Sequence, residues 1–523
     1  MKTVKYNLYW GDMHTQFKPQ WCQGDWDEFL EQSFRDAKEY LDFYPIVYYP
    51  AEYYNTKEGL HVESVGWRDK YQPEWEKICK LVKKHHQPGK FVTFAGYEWT
   101  GDRTRWGDHN VFYPDDDPPL DLSMTIDELY ENLRKRKGIA VPHHTAYAPG
   151  ERSKDWDHYD EDISPFAEIF SGHGCSEGCN TPLKLDHNPS MGPRVTGNTI
   201  QDGLAKGCRV GIMASGDNGS GFAGKHGTGL MACYATALTR EAIWEAFLAR
   251  RVYGVTGDRI QLALWANNHF MGDVFRSKGP VRIRADVVGT QAIDRIELIK
   301  NNRVVATHCH QGTWEIPQRG TVRAKIQIEH GWGPSAHYGF RVAQKVWDAK
   351  LHAGKGAKIV SAEGCFARSG QKIKRCTSKE CSYRLLTAAR HRGVNPMIQQ
   401  SVIIEIEGKP TATVKLTCDE ISETFTLADL MDKSRLLTLR KQVIASVKKQ
   451  FGLTPDQIEN PEDVLFHNSY KIKLHQAIPE KGYTATLRFT DDKPKRGRNF
   501  YYIRVSQLNG QYAWSSPIWV DNV

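Results

Sequence analysis

The chain has 523 residues, more than one hydrophobic core usually holds, so two or more domains are expected. Its hydrophobic content of 40% and charged content of 25% are typical of a soluble globular protein, and no run of about 18 apolar residues predicts a membrane span. The first residues enter a strand pattern at once and contain no signal-peptide core. This predicts a cytoplasmic location if the chain is complete, and export after removal of a leader stays open.

Short apolar strands alternate with amphipathic helices in the first half of the chain. The predicted strands cover residues 6–10, 44–49, 91–97, 138–141, 166–170 and 210–214. The predicted helices cover residues 26–40, 73–86, 126–136 and 240–250. Alternation of this kind favours a parallel sheet over residues 1–260, either open or closed into a barrel.

Around residue 260 the pattern changes to period-2 alternation, as in VRIRADVV and TVRAKIQIEH. The last residues repeat it in FYYIRVSQ, which predicts an all-β, sandwich-like domain over residues 261–523. Two insertions are expected to interrupt this domain. A Gly- and Lys-rich stretch, 341–393, is interpreted as a long basic loop, and residues 427–452 as a helical insertion.

The formal net charge of +8 is concentrated in the basic stretch. Residues 341–392 contain 13 Lys or Arg and 3 Asp or Glu. A basic tract can bind nucleic acid or an acidic polymer, although a solvated loop surface is the plainer interpretation. No nucleic-acid motif accompanies the tract, so nucleic acid is not the favoured partner.

Metal-binding residue types occur at the ends of the predicted strands of the first half. They are His14, Glu98, His109, His143, His144, Glu168 and Asp217. In a parallel barrel the carboxyl ends of the strands converge on one face, where active sites form. Histidines mixed with carboxylates suit a borderline or hard divalent cation, whereas an isolated histidine is more often structural. Their recurrence at successive strand ends therefore predicts a metal site.

Successive blocks of the chain resemble one family of barrel proteins. The blocks are YWGDMH, FVTFAGYEWT, GDHNVFY, VPHHT, EIFSGHGCSEG, GIMASGDNG and LARRVYGVTGDRI, followed at the end by FYYIRVSQLNGQYAWSSPIWV. They are similar to the polymerase and histidinol phosphatase (PHP) proteins grouped as domain of unknown function 3604, over roughly residues 5–275 and the last 25. The resemblance implies up to three divalent metals and, commonly, phosphoester hydrolysis. The expected α/β fold is a distorted (β/α)7 TIM-like PHP barrel followed by an all-β sandwich-like C-terminal domain with a helical insertion.

The resemblance also implies which ligands of the first metal site this chain keeps. That site would contain His14, Glu98 and Asp217. Gln16 stands where the family has a second histidine, and we expect it to face substrate or water.

The second site, by the same resemblance, would use Glu98 as a bridge together with His109 and one histidine of the HH pair. His144 is favoured, because His143 could equally point into the barrel wall. The family's third-site motifs, T-D-H and D-x-H, are replaced here by YYPAE and DNG. This joint loss favours one or two retained metals (Mn, Zn or Fe) and a remodelled pocket, with a pseudoenzyme as the alternative.

Three further residues are candidates for catalysis. Asp12 could orient His14 or a water molecule, as carboxylates often do for ligand histidines, or it could cap the turn after the strand. His173 and Glu177 could donate a proton to a leaving group, or they could be hydrogen-bonding loop residues.

The candidate substrate-binding residues are aromatic, amide or cationic. They are Gln16, Tyr48, Tyr49, Arg103, Arg105, Lys225 and Arg259. The cations could bind phosphate, sulfate or carboxylate, although exposed salt bridging is the plainer role for any one of them. The tyrosines occur where ligands of the third metal would be, which suggests contact with an organic substrate.

These observations predict a metal-dependent hydrolase of the PHP class that uses a metal-activated water on a phosphoester or another polar ester. A metal-dependent lyase or hydrolase acting on a carbohydrate is one alternative. A non-catalytic barrel that binds an anionic polymer is another. The expected partner is a small-molecule or glycan substrate, with no membrane partner.

Overall fold

The computed structural model describes residues 5–19, 22, 24–50, 53–56, 59–62, 67–99, 101–186, 191–310, 314–317, 319–331, 335–337, 339–387, 400–458 and 470–523. Within these residues the chain is a mixed α/β protein with many strands. None of the described helices has the length and apolar character needed to cross a bilayer.

The first half contains the predicted alternation of strands and helices. Its strands are β1 (Asn7–Gly11), β2 (Gln16–Phe17), β3 (Phe43–Tyr48), β4 (Tyr53–Thr56), β5 (Gly59–Val62), β6 (Val92–Trp99), β7 (His109–Tyr113), β8 (Ile139–Pro142), β9 (Phe166–Ser171), β10 (Gly174–Cys175), β11 (Gly211–Ala214), β12 (Leu230–Ala235) and β13 (Val252–Val255). Its helices are α1 (Trp26–Lys38), α2 (Trp67–His85), α3 (Arg103–Trp106), α4 (Ile126–Arg136), α5 (Ile200–Ala205) and α6 (Arg240–Leu248). Every strand and helix predicted in this half therefore occurs, with the predicted bounds for α4 and shifted ends for the others.

Side-chain caps begin the helices at the points where loop sequence gives way to an amphipathic pattern. Asp25 accepts a hydrogen bond from the backbone N–H of Glu28 at the start of α1. Thr125 and Glu128 form a reciprocal capping box at the start of α4, which ends at Lys137 in a left-handed conformation. These caps satisfy backbone N–H groups that have no partner within the helix.

The strands of the first half form a mixed ladder instead of the expected parallel sheet. β1, β3 and β6 pair in parallel, as do β9 and β11, but β12 pairs antiparallel with β1. β7 pairs antiparallel with β6, because residues 100–108 are too few for the crossover that parallel pairing needs, and it also pairs antiparallel with β8. The order β13–β12–β1–β3–β6–β7–β8 ends at β8, and β9 and β11 belong to another ladder. The described strands therefore do not close into a hydrogen-bonded barrel.

Alternation along these strands separates two cores. The inner core includes Phe43, Val47, Phe94, Phe112, Val141, Phe166 and Met213, together with Trp244 and Phe247 of α6. The outer core includes Tyr44, Tyr48, Tyr97, Trp99, Val111 and Ala140. Because successive side chains of a strand point to opposite faces, positions 98, 110 and 143 continue the inner rows of β6, β7 and β8. The inner core therefore packs directly beneath these three positions at the strand ends.

The second half is built mainly of strands. They are β14 (Gln261–Ala266), β15 (His269–Phe270), β16 (Val274–Ser277), β17 (Val281–Val288), β18 (Ile293–Lys300), β19 (Arg303–Cys309), β20 (Val322–Gly331), β21 (Ser335–His337), β22 (Phe340–Val342), β23 (Val346–Ala353), β24 (Ala357–Cys365), β25 (Lys372–Cys376), β26 (Glu380–Leu386), β27 (Ser401–Gly408), β28 (Thr413–Cys418), β29 (Ile421–Thr426), β30 (Arg435–Thr438), β31 (Lys471–Leu474), β32 (Ile478–Pro479), β33 (Thr484–Asp491), β34 (Gly497–Gln507), β35 (Tyr512–Ser515) and β36 (Ile518–Asn522). Its helices are α7 (Leu427–Asp432), α8 (Arg440–Phe451), α9 (Pro455–Ile458) and α10 (Glu480–Tyr483). The sheets β24–β27–β20–β31–β30 and β25–β26–β23–β28–β29 share one hydrophobic core.

The interpretation of 341–393 as a loop is wrong for its described residues. They contain β23, β24, β25 and β26, and in β23 exposed Lys350 and His352 alternate with buried Leu351 and Ala353. The basic residues occupy one face of each strand, so a high Lys and Gly content concealed the period-2 pattern. Residues 388–393 lie outside the described residues. The predicted helical insertion, 427–452, contains α7 and α8 with strand β30 between them.

The largest sheet crosses the predicted domain boundary at residue 260. β13 pairs antiparallel with β35, so that Tyr253 lies opposite Ser515 and Gly254 opposite Trp514. Strands β34, β36, β16, β18 and β19 extend the same sheet. The last strands of the chain are therefore hydrogen-bonded into the sheet that contains β1.

Candidate metal centre

Histidines and carboxylates from several strand ends converge above the inner core. They are His14, Glu98, Asp108, His143, His144, Glu168, His173 and Asp217, and they form four overlapping groups whose possible ligand atoms lie within 4.8 Å of one another. Only His173 and Asp217 are partly exposed. We call these eight residues the ligand cluster.

His14 is held by a carboxylate on one ring nitrogen and presents the other to the cluster. Its Nδ1 lies 2.8 Å from Oε2 of Glu168, which also accepts a hydrogen bond from the Ser215 hydroxyl at 2.7 Å. Its Nε2 lies 3.4 Å from Oδ1 of Asp217 and 3.8 Å from Oε2 of Glu98. Metal-binding histidines usually have such a partner on the second nitrogen, since it fixes the tautomer and orients the ring.

Glu98 has both carboxylate oxygens in the cluster. Oε2 accepts a hydrogen bond from the Gln16 amide at 2.5 Å, and Oε1 accepts one from the Arg103 guanidinium at 3.2 Å. Oε1 also lies 3.8 Å from Nε2 of His143. Burial opposes its charge, but His14, His143 and Arg103 hold the pKa of Glu98 well below its usual value. Glu98 is thus ionised, the form in which a carboxylate binds a cation.

Both histidines of the HH pair face the cluster. Their ring centroids are 4.4 Å apart, and that of His143 is 4.3 Å from the ring of His14. Nε2 of His144 lies 3.5 Å from Oδ2 of Asp108. Position 143 continues the inner row of β8 instead of entering the wall, so His143 is a candidate ligand beside His144 and the preference for His144 stays a prediction.

His173 lies beside Asp217 at the partly exposed side of the cluster. Its Nε2 is 3.2 Å from Oδ2 of Asp217, and its Nδ1 pairs with the Tyr147 hydroxyl at 2.7 Å. Both ring nitrogens therefore have neighbours that orient them. His173 shares a possible metal group with His144 and Asp217, and it also lies where it could donate a proton.

Several buried polar atoms of the cluster lack a hydrogen-bond partner among the described residues. They are Oδ2 of Asp108, both ring nitrogens of His143, Nδ1 of His144, Oε1 of Glu168 and Oδ2 of Asp217. Buried polar groups are nearly always paired, so unpaired acceptors and imidazole nitrogens at one place point to an ion or water that completes them. Imidazole and carboxylate ligands suit zinc, manganese or iron. The residues present therefore fit a divalent metal.

Two cluster residues have strained backbones. His144 has φ +32° and Asp217 has φ +44°, in the left-handed region that residues other than glycine rarely occupy. Such strain costs about 1–3 kcal/mol, persists where the surroundings enforce it, and is concentrated at functional sites. The fold therefore holds these two side chains in orientations that a relaxed loop would not give.

The surroundings shift the pKa values of two cluster histidines in opposite directions. Burial would lower the pKa of His14, but Asp217 and Glu168 outweigh it and raise that pKa well above its usual value. For His144, burial and the neighbouring His143 hold the pKa well below its usual value. Because a metal binds the neutral imidazole, the surroundings of His144 favour the metal-binding form, whereas those of His14 favour the protonated form.

His109 does not join the cluster. It pairs directly opposite Trp99 in the β6–β7 ladder and so shares the outer face, with its ring centroid 5.7 Å from that of Trp99. Asn110 pairs with Glu98 on the inner face instead. The prediction of His109 as a ligand is corrected to Asp108, the neighbouring residue whose carboxylate does reach the cluster.

Asp12 and Glu177 are structural residues in the described chain, which corrects their assignment to catalysis. The Asp12 carboxylate accepts hydrogen bonds from the backbone N–H groups of residues 14, 216 and 224 and from Thr15, so it fixes the backbone of His14 rather than its ring. The Glu177 carboxylate accepts hydrogen bonds from Tyr502, Arg504 and Trp514. These contacts join the loop of Glu177 to the C-terminal strands.

The two tyrosines at the end of β3 point to opposite sides. Tyr49 follows the inner row, and its hydroxyl accepts a hydrogen bond from Arg103 at 3.1 Å. Tyr48 belongs to the outer core and donates to Glu74 of α2. The prediction that Tyr48 binds substrate is therefore corrected by strand alternation, whereas Tyr49 and Gln16 lie beside the cluster.

The four predicted cations have different surroundings. Arg103 lies beside the cluster, where it donates to Asp108 at 2.7 Å and to Glu98 and Tyr49. The exposed Arg105 stacks on Trp106. Arg259 donates to the Tyr40 carbonyl and lies over Trp10. Arg105 and Arg259 are therefore corrected as binding residues of this site, whereas the assignment of Lys225 stays a prediction.

Sequence reasoning passed over Asp108 as a ligand, Glu168 as the partner of His14, and Arg152. The prediction took His109 as the ligand instead of its neighbour Asp108. Strand alternation places position 110, and not 109, on the inner face, which argues against His109. Arg152, in the loop after β8, has Nη1 3.6 Å from Oδ2 of Asp108. No sequence signal distinguished it from the other arginines near these motifs.

One family model matches two stretches of this chain. A model of the family described as "Protein of unknown function (DUF3604)" matches residues 20–158 and 207–289. These stretches contain Glu98, Asp108, His143, His144 and Asp217, while His14 and Glu168 lie outside them. The resemblance to domain of unknown function 3604 is thereby confirmed over the matched residues.

The curated relatives are uncharacterised proteins of Chlamydia. One from Chlamydia pneumoniae is 23% identical over 323 residues, covering 58% of this chain and 48% of its own length. One from Chlamydia trachomatis is 20% identical over 366 residues, covering 65% of this chain and 55% of its own. The chain thus spans about half the length of the relatives it matches. A solved two-domain protein from Bacteroides vulgatus, described as containing a predicted PHP-like metal-dependent phosphoesterase, is 12% identical with a TM-score of 0.29, covering 80% of this chain and 95% of its own.

Proposed function

We propose that this chain, which carries the domain of unknown function 3604 over its matched residues, is a metal-dependent hydrolase of the PHP class. It would use a metal-activated water on a phosphoester or another polar ester. The observation that carries the proposal is the ligand cluster, with its buried imidazole nitrogens and carboxylate oxygens that lack partners among the described residues.

The cluster offers ligands for one or two divalent ions, which we take to be Mn, Zn or Fe. His14, Glu98 and Asp217 would hold one, with His143 beside them, and Asp108 and His144 would contribute to a second. When bound, such an ion supplies Lewis acidity, which polarises an ester and makes water nucleophilic near neutral pH.

The other residues hold the ligands in place. Glu168 keeps Nδ1 of His14 occupied, so that Nε2 faces the cluster. Arg103 bridges Glu98 and Asp108 and fixes the orientation of both carboxylates. His173 is oriented by Tyr147 and, at the partly exposed side, could deliver a proton to a leaving oxygen.

We also interpret the fold as that of a PHP-type protein. β8 lies beside β9, and β11 lies beside both β12 and β13, so the two ladders approach each other at both ends. We interpret this arrangement as an opened, distorted (β/α)7 barrel. The two sheets that share one core in the second half are interpreted as the β-sandwich.

The proposal is tested by stripping the purified protein with a chelator, reloading it with Mn²⁺, Zn²⁺ or Fe²⁺, and assaying a panel of phosphoesters and glycosides. We expect at least about one metal equivalent and metal-dependent phosphoester turnover, both reduced in His143→Ala. The exposed His352→Ala, on β23, is the control. Less than one equivalent of every metal would overturn the proposal, and turnover of glycosides alone would replace the phosphoester by a carbohydrate.

A further inference from the structure

At the rim of the ligand cluster, its solvent-facing edge, one arginine side chain makes few polar contacts. Arg152 is 35% exposed, and its guanidinium makes no hydrogen bond within the described part of the chain. Its nearest charged neighbour is Oδ2 of Asp108, 3.6 Å from Nη1, which is beyond hydrogen-bond length. By contrast, the guanidinium of Arg103 is nearly fully buried and bonded to two carboxylates.

The loop that carries Arg152 is fixed against the cluster. It leaves β8 through the strained His144 and returns where the backbone N–H of Lys154 donates to the Thr145 carbonyl at 3.1 Å. Gly107, next to Asp108, lies so close that a Cβ there would be 2.7 Å from the Ser153 carbonyl oxygen. The Arg152 backbone itself has φ +69°. The backbone of Arg152 is therefore constrained beside the cluster, which places its guanidinium within reach of the rim.

The solvent-facing side of the cluster is formed by half-buried residues. They are Gln16, Tyr49, Arg152 and His173. The Arg152 charge acts on the phenols of Tyr49 and Tyr147, where it opposes the rise in pKa that burial causes. A ligand that reaches the metal ligands from solvent would pass between these groups, and Arg152 is the positively charged one among them.

We infer that Arg152 binds the anionic group of the substrate at the rim of the metal centre and so selects phosphate-like anionic esters over uncharged ones. This inference rests on the proposed function. A guanidinium suits that role, because its planar donors match two oxygens of a phosphate and its charge persists at any physiological pH. The 3.6 Å separation from Asp108 leaves those donors available.

Arg152→Gln tests the inference through binding and selectivity. We expect inorganic phosphate, used as the probe, to bind at least about tenfold more weakly to the metal-loaded variant by calorimetry. kcat/KM for p-nitrophenyl phosphate should fall by a similar factor, while that for the uncharged p-nitrophenyl acetate should change less than about twofold. Metal content should be unchanged.

The matched controls separate charge from geometry and from general surface effects. Arg152→Lys should recover only part of the phosphate affinity, since lysine keeps the charge without the planar fork. Arg134→Gln removes an exposed arginine of α4 that pairs with Asp160, and phosphate binding should not change.

Two results would overturn the inference. One is equal phosphate binding by the wild type and Arg152→Gln. The other is loss of metal from Arg152→Gln, which would make Arg152 a support for Asp108. If the wild type binds metal but hydrolyses no ester, the proposed function fails, and the phosphate measurement alone still decides whether Arg152 binds an anion.

Discussion

Glu168 determines which nitrogen of His14 faces the cluster. Its Oε2 lies 2.8 Å from Nδ1, so Nε2 is the atom directed at Glu98 and Asp217. Ser215 holds the carboxylate in turn. Such partners are often as important for metal affinity as the ligands themselves, since they set both the orientation and the basicity of the imidazole.

Glu168→Gln should therefore weaken metal binding by about 10–100-fold, because the amide no longer carries the charge that supports His14. The measurement is competition with a chromogenic chelator. Glu131→Gln, an exposed residue of α4, is the control. Unchanged affinity in Glu168→Gln would mean that His14 does not bind the metal.

The neighbours Asp108 and His109 lie on opposite sides of the β6–β7 ladder, and this contrast can be tested directly. Asp108→Asn should reduce the amount of metal bound, since its Oδ2 belongs to the group with His143 and His144. His109→Gln should keep its metal, because the ring packs against Trp99. Metal analysis of the two purified variants decides, and the reverse pattern would contradict the assignment.

Alternation explains how much of the candidate site the sequence could predict. Glu98 follows an apolar strand at a position that alternation directs inward, so its place near a metal site was predictable. The same rule selects His143 and excludes His109, which residue type alone had favoured. The partner of His14 was not predictable, because Asp12 is close in sequence while Glu168 approaches only through the pairing of β9 with β11.

At the scale of elements, the connection after β8 meets the segment before β7 at Gly107. This glycine has φ +74° and faces the backbone of residues 152 and 153, so any side chain would have to displace the loop that carries Arg152. This close contact packs the segment that contains Asp108 against the loop that carries Arg152.

Gly107→Ala should lower the free energy of unfolding by about 1–3 kcal/mol more than Gly89→Ala, measured by urea denaturation. The control is matched, because Gly89 has φ +81° but a Cβ there would meet nothing within 4 Å. Equal losses would mean that the loop moves freely away from residue 107.

The elements of the first half were predictable because apolar strands and amphipathic helices differ in period and have side-chain caps. Their pairing was not, since the antiparallel β6–β7 pair follows from connection length instead of composition, and β7 pairs antiparallel with β8 although a helix connects them. In the second half, β23 was hidden because charged residues on its exposed face obscured the alternation.

At the scale of the whole molecule, Asp258 joins distant parts of the chain. Its Oδ1 lies 2.8 Å from Nε2 of His226, and Oδ2 accepts hydrogen bonds from Thr290, Gln507 and Asn509. The backbone N–H of His226 donates to the carbonyl of residue 366, next to β24. His226 lies on the β11–β12 connection that also carries Asp217, so this junction and the metal centre share one loop.

The junction should make stability depend on pH. Burial alone would lower the pKa of His226, but Cys365 and Asp258 outweigh it and raise that pKa to about 10. Since this exceeds the value of about 6.5 expected in the unfolded chain, the stabilisation is complete below about pH 6.5 and is lost as the pH rises toward 10. The Asp258 pKa is lowered, so its contribution is lost only in acid.

The Tm difference between the wild type and His226→Gln should therefore be largest near pH 6 and shrink as the pH approaches about 10. Asp258→Asn, which removes the carboxylate facing His226, should weaken this dependence. A Tm difference that is constant between pH 6 and 10 would contradict the ion pair.

The most direct test of the metal centre is its location in crystals of the protein soaked in Mn²⁺, measured by anomalous diffraction. We expect a peak bounded by His14, Glu98 and Asp217, with any second peak toward Asp108 and His144. Absence of a peak in the ligand cluster, or a peak only at the His226, Asp258 and Cys365 group, would contradict the account.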